Sequence, residues 1–341
     1  MKRSGSKLKY QVNQALKTID QIGVSKYSLE RQKLDTGIHS IKQMKETLST
    51  AQNFVAWLKN EKGLMDLYQV KRSHYRLYID HMKTKEVSNG HLINIETNLR
   101  LLNKGMAKVS KDKGMAPRNW CPKKRLVDVR SREEAVNRSL TDQEYKEAYQ
   151  GLSNHVRVAA DLQMAFGLRL REAANTTYAH ITLEDGQYYW GAVSDRYAAN
   201  TAVGVTKAGR GRKALCRPDM EERIQALVKD GDQKDYILKV KYDTIRSGYV
   251  RAGIKGSHSL RHTYARFMLQ EEFKQLGIEK QGLDIVQRMV LNRSEGYRKD
   301  YQIEQSERLI YQRVKQAIDQ VHSYLGHGVS RSDLMDVYLS F

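Results

Sequence analysis

The chain has 341 residues and a net charge of +20, from 59 Lys and Arg against 39 Asp and Glu. This length exceeds the roughly 250–300 residues at which single cores stop growing, so we expect two domains. Cys121 and Cys216 lack metal-ligand spacing, and we find neither a membrane-spanning apolar run nor a signal-peptide core. These features argue against a disulfide framework, a zinc site and a membrane protein, and they predict a cytoplasmic location.

The charge makes a polyanion, nucleic acid above all, the expected partner. A basic protein without a specific ligand is the alternative that charge alone leaves open. Residues 1–35 are polar and basic with weak periodicity, which indicates a basic arm or a loosely ordered tail.

Residues 36–108 show helical periodicity and predict a compact helical module. Basic residues on the outer faces favour DNA binding, and a helical bundle without that function stays open on this pattern alone. The predicted helices are Ser40–Gly63, Val70–Met82 and Ser88–Gly105.

Residues 109–138 lose this periodicity and include Pro117 and Pro122. Lys123, Lys124 and Arg125 follow directly. The composition predicts an extended basic linker, either solvated or running along a DNA backbone.

Residues 139–341 predict a second domain that is mainly helical with one small antiparallel sheet. Thr141 and Glu144 have the spacing of a helix capping box. A helix from Val156 to Phe166 should stop at Gly167. The predicted strands are Tyr188–Val193, Ala202–Thr206 and Lys213–Cys216, and residues 208–212 should join the last two as a hairpin.

Two arginine motifs carry candidate chemistry in this domain. In His258-Ser259-Leu260-Arg261-His262, the His258 and Arg261 side chains stand three apart and share one helix face. A guanidinium can hold two oxygens of one phosphate beside an imidazole that moves a proton. In Gly167-Leu168-Arg169-Leu170-Arg171-Glu172, Glu172 can hold Arg169 rigidly, although an ordinary surface ion pair would have the same spacing.

Three further elements complete the set. Lys207 lies at the edge of the predicted basic hairpin, where Arg210 and Arg212 are candidate DNA contacts. A lysine there could protonate a leaving oxygen or simply clamp a phosphate. Leu325-Gly326-His327 follows a helix, and Tyr338 lies eleven residues after His327.

In this order the motifs resemble those of the tyrosine recombinases, the lambda-integrase-like family. The resemblance spans residues 167–338, and the upstream helical module resembles that family's core-binding domain. It implies a site-specific DNA recombinase, such as the integrase of a mobile element of prokaryotic or viral origin, with an α+β catalytic domain over 139–341. It also implies double-stranded DNA and a homotetramer as partners, with accessory DNA-bending proteins, and neither cofactor nor metal.

The resemblance also implies roles for the matching residues. Arg169 and Arg261 would hold the scissile phosphate, His327 would donate a hydrogen bond to it, and Glu172 would orient the site. Tyr338 would form a 3′-phosphotyrosyl bond, with His258 assisting the proton transfer and Lys207 protonating the 5′-oxygen.

Two features depart from the family's pattern. His327 follows Arg261 by 66 positions, which exceeds the usual spacing, predicts a helical insertion at about residues 273–311 and makes Tyr301 a rival nucleophile. Only three residues follow Tyr338, so we expect the insertion to contact a neighbouring protomer instead of a tail. A type IB topoisomerase and a non-catalytic DNA-binding protein derived from a recombinase are the alternative functions.

Overall fold

A computed structural model of the chain describes residues 4–128, 137–229, 231–328 and Tyr338. It divides into two units, Met1–Glu133 and Glu134–Phe341, each with its own hydrophobic core. None of the helices in the described ranges is long and apolar enough to cross a membrane. The fold class is mainly α with one small antiparallel sheet, as the sequence predicts.

The regular elements of the first unit are all helices in its described part, apart from one isolated β-bridge between Asp20 and Ile38. Its helices are α1 (Ser4–Thr18), α2 (Lys26–Arg31), α3 (Ile41–Lys62), α4 (Arg72–Lys83) and α5 (Asn89–Asp112). Ser40 caps the start of α3, and Gly63 ends it in the left-handed conformation, at the two positions that the sequence indicates.

Helix α1 replaces the loose tail that we expected within residues 1–35. Leu8, Val12, Ala15 and Leu16 are buried in the core of the first unit. The polar residues between these positions hide the apolar stripe at i, i+4, i+7 and i+8. The segment is therefore a structural part of the unit.

Helix α5 continues to Asp112, although the sequence predicted that it would end at Gly105. A Cβ on Gly105 would lie 2.2 Å from the carbonyl oxygen of Ala15. Gly105 therefore allows α1 to pack closely against α5, and it does not end the helix.

Part of the predicted linker also belongs to this unit. Trp120 and Val127 are buried in its core. The buried carboxylate of Glu96 accepts hydrogen bonds from the backbone N–H groups of Leu126 (2.9 Å) and Val127 (3.0 Å). Residues up to 128 are thus fixed to α5, whereas residues 129–136 of the predicted linker lie outside the described residues.

The second unit contains eight helices and three strands in its described part. The helices are α6 (Asp142–Gln150), α7 (Asn154–Phe166), α8 (Leu170–Ala174), α9 (Glu221–Val228), α10 (Tyr242–Arg251), α11 (Ser259–Gln275), α12 (Glu279–Ser294) and α13 (Arg308–Tyr324). The strands are β1 (Ile181–Glu184), β2 (Gln187–Ala192) and β3 (Arg212–Leu215). The predicted capping box is present, with Thr141 Oγ1 accepting from Glu144 N and Glu144 Oε2 from Thr141 N.

The sheet has the order β1-β2-β3 and is antiparallel throughout. One strand prediction was wrong, and one strand was missed. Residues 202–206 form turns, and β1, which the sequence analysis missed, pairs with β2 around Asp185 and Gly186. Strands β2 and β3 are joined by a long connection over residues 193–211 and not by a short hairpin.

A second core in this unit lies among α11, α12 and α13. It includes Phe273, Val286, Met289 and Val314, all of them buried. The predicted insertion thus contains one regular helix, α12, followed by a loop at residues 295–307. This core brings the C-terminal end of α13 back to the start of α11.

Candidate active site

Arg261 lies at the centre of the site, in the first turn of α11, and its side chain is fully buried. Its Nη1 donates to the carbonyl oxygen of Gly167 at 2.5 Å, and its Nη2 donates to the carbonyl oxygen of Leu325. The same Nη2 lies 3.0 Å from His327 Nε2. One guanidinium therefore joins three of the motifs that the sequence analysis selected.

Glu172 is the anion of the cluster and is 1% exposed. Arg169 caps α8, with its backbone N donating to Glu172 Oε2 (2.8 Å) and its Nη1 to Oε1 (2.7 Å). Arg212 Nη2 and Arg261 Nη1 lie 3.4 and 3.8 Å from Oε2. Burial raises the pKa of Glu172, but the three guanidiniums outweigh it, so the pKa is lowered and the carboxylate stays ionised.

The arrangement leaves the site with an excess of positive charge. Arg169, Arg212 and Arg261 surround the single carboxylate of Glu172. Arg169 has the most exposed side chain of the three, at 26%, against 3% and 0% for the other two. An anion from solution that approached past the exposed Arg169 would therefore contact fixed cations that have lost part of their water.

Arg212 corrects one sequence prediction, because we expected it among the surface DNA contacts. Its guanidinium lies 4.9 Å from the centre of the Trp190 ring, under the site. Its Nη2 also lies 3.4 Å from the carbonyl oxygen of Phe166. A Cβ on Gly326 would lie 2.8 Å from Arg212 Cδ, so the glycine admits this side chain. Burial thus makes Arg212 an internal support of the site.

Tyr338 lies against this cluster and is 8% exposed. Its ring centre is 4.5 Å from that of His262, nearly parallel at 21°, and 4.8 Å from that of His327. The Arg261 guanidinium lies 5.7 Å from the same ring. The rival Tyr301 is 44% exposed and stacks on Tyr297 in the insertion. The structure therefore brings Tyr338 to the arginines, while residues 329–337 lie outside the described residues.

His262 is the second residue whose position sequence reasoning missed. The motif that begins at His258 ends with His262, one helical turn later. The spacing of the motif does not indicate a function for this second histidine. In the structure it forms the flat surface on which Tyr338 rests.

The histidines of the site are held neutral. Burial, and then the neighbouring Arg261, lowers the pKa of His327 to about 2 and also lowers that of His258. Burial, and then His258, lowers the pKa of His262 to about 3. His258, half-buried at the start of α11, is neutral and has a ring nitrogen, Nδ1, without a hydrogen-bond partner among the described residues, but its lowered pKa makes it a weaker base than a free imidazole.

The remaining predicted residues lie outside this cluster. Lys207 is exposed in the connection between β2 and β3, next to Ala208, whose φ of 62° is left-handed. Arg210 is exposed in the same connection. Lys123 and Lys124 are exposed in the first unit, where Arg125 donates to Thr97 Oγ1 at 3.1 Å. Among the described residues, no group of His, Cys, Asp or Glu side chains has the arrangement of a metal site.

Solved structures that resemble this chain include a lambda integrase dimer on a core site. It has 16% identity and a TM-score of 0.49, over 79% of this chain and 90% of that one. A XerH recombinase bound to its difH substrate has 13% identity and a TM-score of 0.47, over 81% and 87%. The Tn1549 transposon integrase with circular intermediate DNA has 15% identity and a TM-score of 0.44, over 79% and 90%.

No protein-family model matches the sequence, and no curated protein matches it either. At 13–16% identity the resemblance concerns the fold alone.

Proposed function

We propose that this protein is a site-specific DNA recombinase that cuts and rejoins strands through Tyr338. The observation that carries the proposal is the convergence of three guanidiniums on one buried carboxylate, with the Tyr338 ring beside them. Such a site has excess positive charge for a phosphate and holds a nucleophile next to it.

In the proposed reaction, Tyr338 Oη attacks the scissile phosphorus and the bond to the 5′-oxygen breaks. The phenol proton passes to neutral His258, and the departing 5′-oxygen takes a proton from Lys207. Arg169 and Arg261 stabilise the negative charge of the pentacoordinate transition state. Reverse attack by a 5′-hydroxyl on the phosphotyrosyl bond rejoins DNA and frees Tyr338. The covalent bond conserves the phosphodiester's energy, so the proposed cycle needs no nucleotide cofactor.

We also propose how protomers and domains share the reaction. Because the Tyr338 ring rests on His262 of the same chain, we infer that each protomer cuts with its own tyrosine. The first unit would be the core-binding domain and the second the catalytic domain. We further propose that four protomers assemble on two duplexes and that the recombination moves a mobile element.

The test is capture of a covalent intermediate. Full-length protein is incubated with a pool of nicked duplexes randomised around the nick, and denaturation-resistant 3′ adducts are collected and sequenced. We expect the wild type to yield adducts attached through Tyr338 and Tyr338→Phe to yield none while still binding DNA.

Tyr301→Phe is the matched control, since it removes the hydroxyl of the rival tyrosine and should leave the adduct. Loss of the adduct in Tyr301→Phe, with retention in Tyr338→Phe, would show that the nucleophile is Tyr301. If the wild type yields no adduct from the whole pool, the protein is a non-catalytic DNA-binding protein.

A further inference from the structure

The loop that follows α12 carries a surface that the proposed reaction does not use. A hollow of about 570 Å³ lies between the end of α12, this loop and the start of α13. We call it the insertion cleft. Among the described residues that line it, one carboxylate, Asp300, faces five cations, which are Arg293, Arg298, Lys299, Arg308 and Lys315.

The charge of the insertion cleft is only partly balanced. Asp300 interacts with Arg298 at 3.3 Å and with Arg308 at 3.1 Å. The Arg298 side chain is nevertheless 87% exposed. Lys315 Nζ lies 5.7 Å from the Tyr311 ring, which holds the ammonium at the wall of the cleft. Arg298, Arg308 and Lys315 thus outnumber the one carboxylate of the described lining, which favours an anionic ligand.

Two tyrosines give this surface a second kind of contact. Tyr297 and Tyr301 are stacked, with ring centres 4.4 Å apart and planes 15° apart. They are 50% and 44% exposed, so folding buries only part of either ring. A neighbouring hollow of about 570 Å³ adjoins both tyrosines, Arg298 and Arg308. Exposed aromatic faces beside arginines suit the bases and phosphates of a nucleic-acid strand.

The loop is held in place before any ligand binds. Asn292 is buried, and its Nδ2 donates to the carbonyl oxygens of Lys299 (3.1 Å) and Tyr301 (2.7 Å). The backbone N of Tyr297 donates to the carbonyl oxygen of Asn292 at 2.7 Å. Arg288 bonds Glu307 at the far end of the loop. A fixed loop loses little conformational entropy on binding, which favours a built binding surface.

We propose that the insertion cleft binds single-stranded DNA, with phosphates on Arg298, Arg308 and Lys315 and a base stacked on the tyrosine pair. An acidic protein surface would satisfy the cations but would leave the stacked rings without a matching partner. Duplex DNA would offer phosphates but would keep its bases in its own stack.

The test measures binding of a fluorescent twelve-residue oligothymidine by the full-length chain. Tyr297→Ala should weaken binding by about fivefold or more, the loss expected for one stacked base, and Tyr297→Phe should restore it. Arg298→Ala with Lys315→Ala should weaken binding and flatten its dependence on salt. Lys274→Ala with Lys280→Ala removes the same charge from exposed positions elsewhere in the insertion and should have a much smaller effect.

A bromodeoxyuridine version of the same oligonucleotide should crosslink on irradiation to the peptide that contains Tyr297 and Tyr301. Binding that falls equally in the control double variant, or crosslinks confined to other peptides, would overturn the proposal. So would equal competition by polyglutamate, which would indicate a general anion surface. The Tyr338 adduct is assayed separately on duplex DNA, so failure of one proposal is distinguishable from failure of the other.

Discussion

At the residue scale, the neutral histidines of the site make stability depend on pH. His258, His262 and His327 all have a lowered pKa in the folded protein, with burial as the largest cause. In the unfolded chain they take up protons near their ordinary pKa of about 6.5. The unfolded state therefore binds more protons below that pH, and the free energy of unfolding should fall as the pH drops from about 7 to about 5.

Fluorine NMR of fluorotryptophan-labelled protein in urea can measure this prediction, because Trp190 is the one tryptophan of residues 134–341. His262→Phe keeps a ring under Tyr338 and removes one titrating group, so its pH dependence should be shallower than that of the wild type. The lowered pKa of Glu172 affects stability only in more acidic solution, below about pH 5. A free energy of unfolding that is constant over the interval would contradict the prediction.

The sequence motifs identified most of the charged groups of the site, but they did not identify the residues that surround those groups. Arg169, Glu172, Arg261 and His327 were selected from motifs, and they do meet. Arg212 could not be placed, because a surface arginine and a buried one in a basic hairpin look identical in sequence. Its burial depends on Trp190 and Gly326, which approach it only in the folded unit.

At the scale of elements, the turn between α7 and α8 positions Arg261. Gly167 has a φ of 59°, and a Cβ there would lie 2.3 Å from Tyr264 Cδ1. Gly167→Ala should therefore cost the roughly 1–2 kcal/mol of a left-handed residue plus the cost of displacing the fully buried Tyr264. It should also shift the carbonyl that accepts from Arg261 and reduce adduct formation.

Gly277→Ala is the matched control for this prediction. Gly277 has a φ of 63° just after α11, and a Cβ there would meet nothing within 4 Å. The same fluorine signal in urea should show the larger loss for Gly167→Ala. Equal losses in the two variants would mean that the overlap with Tyr264 is relieved at no cost.

Helices were predictable where caps and apolar periodicity agree, as in α3 and α6. The strand expected at residues 202–206 was wrong because Ala202 and Val205 are buried under turns and not in a ladder. Strand β1 was missed because a four-residue strand with three exposed positions has too little alternation to recognise. A local sequence pattern thus indicates which side chains are buried more directly than it indicates which strands pair.

At the scale of the whole molecule, charge and chemistry are divided between the two units. From the printed sequence, residues 1–133 hold 28 Lys and Arg against 12 Asp and Glu, a net +16. Residues 134–341 hold 31 against 27, a net +4, and the two values add up to the +20 of the chain. Every residue of the proposed reaction lies in the second, nearly balanced unit.

A fragment of residues 137–341 should therefore keep the chemistry and lose most of the non-specific affinity for DNA. We expect it to form the Tyr338 adduct on the same nicked duplexes, but only at higher protein concentration. The slope of log affinity against log salt concentration, measured between about 50 and 200 mM, should fall to less than half that of the full chain, because fewer counterions are released. The fragment with Tyr338→Phe controls for adducts formed by other residues. A fragment slope equal to that of the full chain would mean that the second unit, despite its small net charge, makes most of the phosphate contacts.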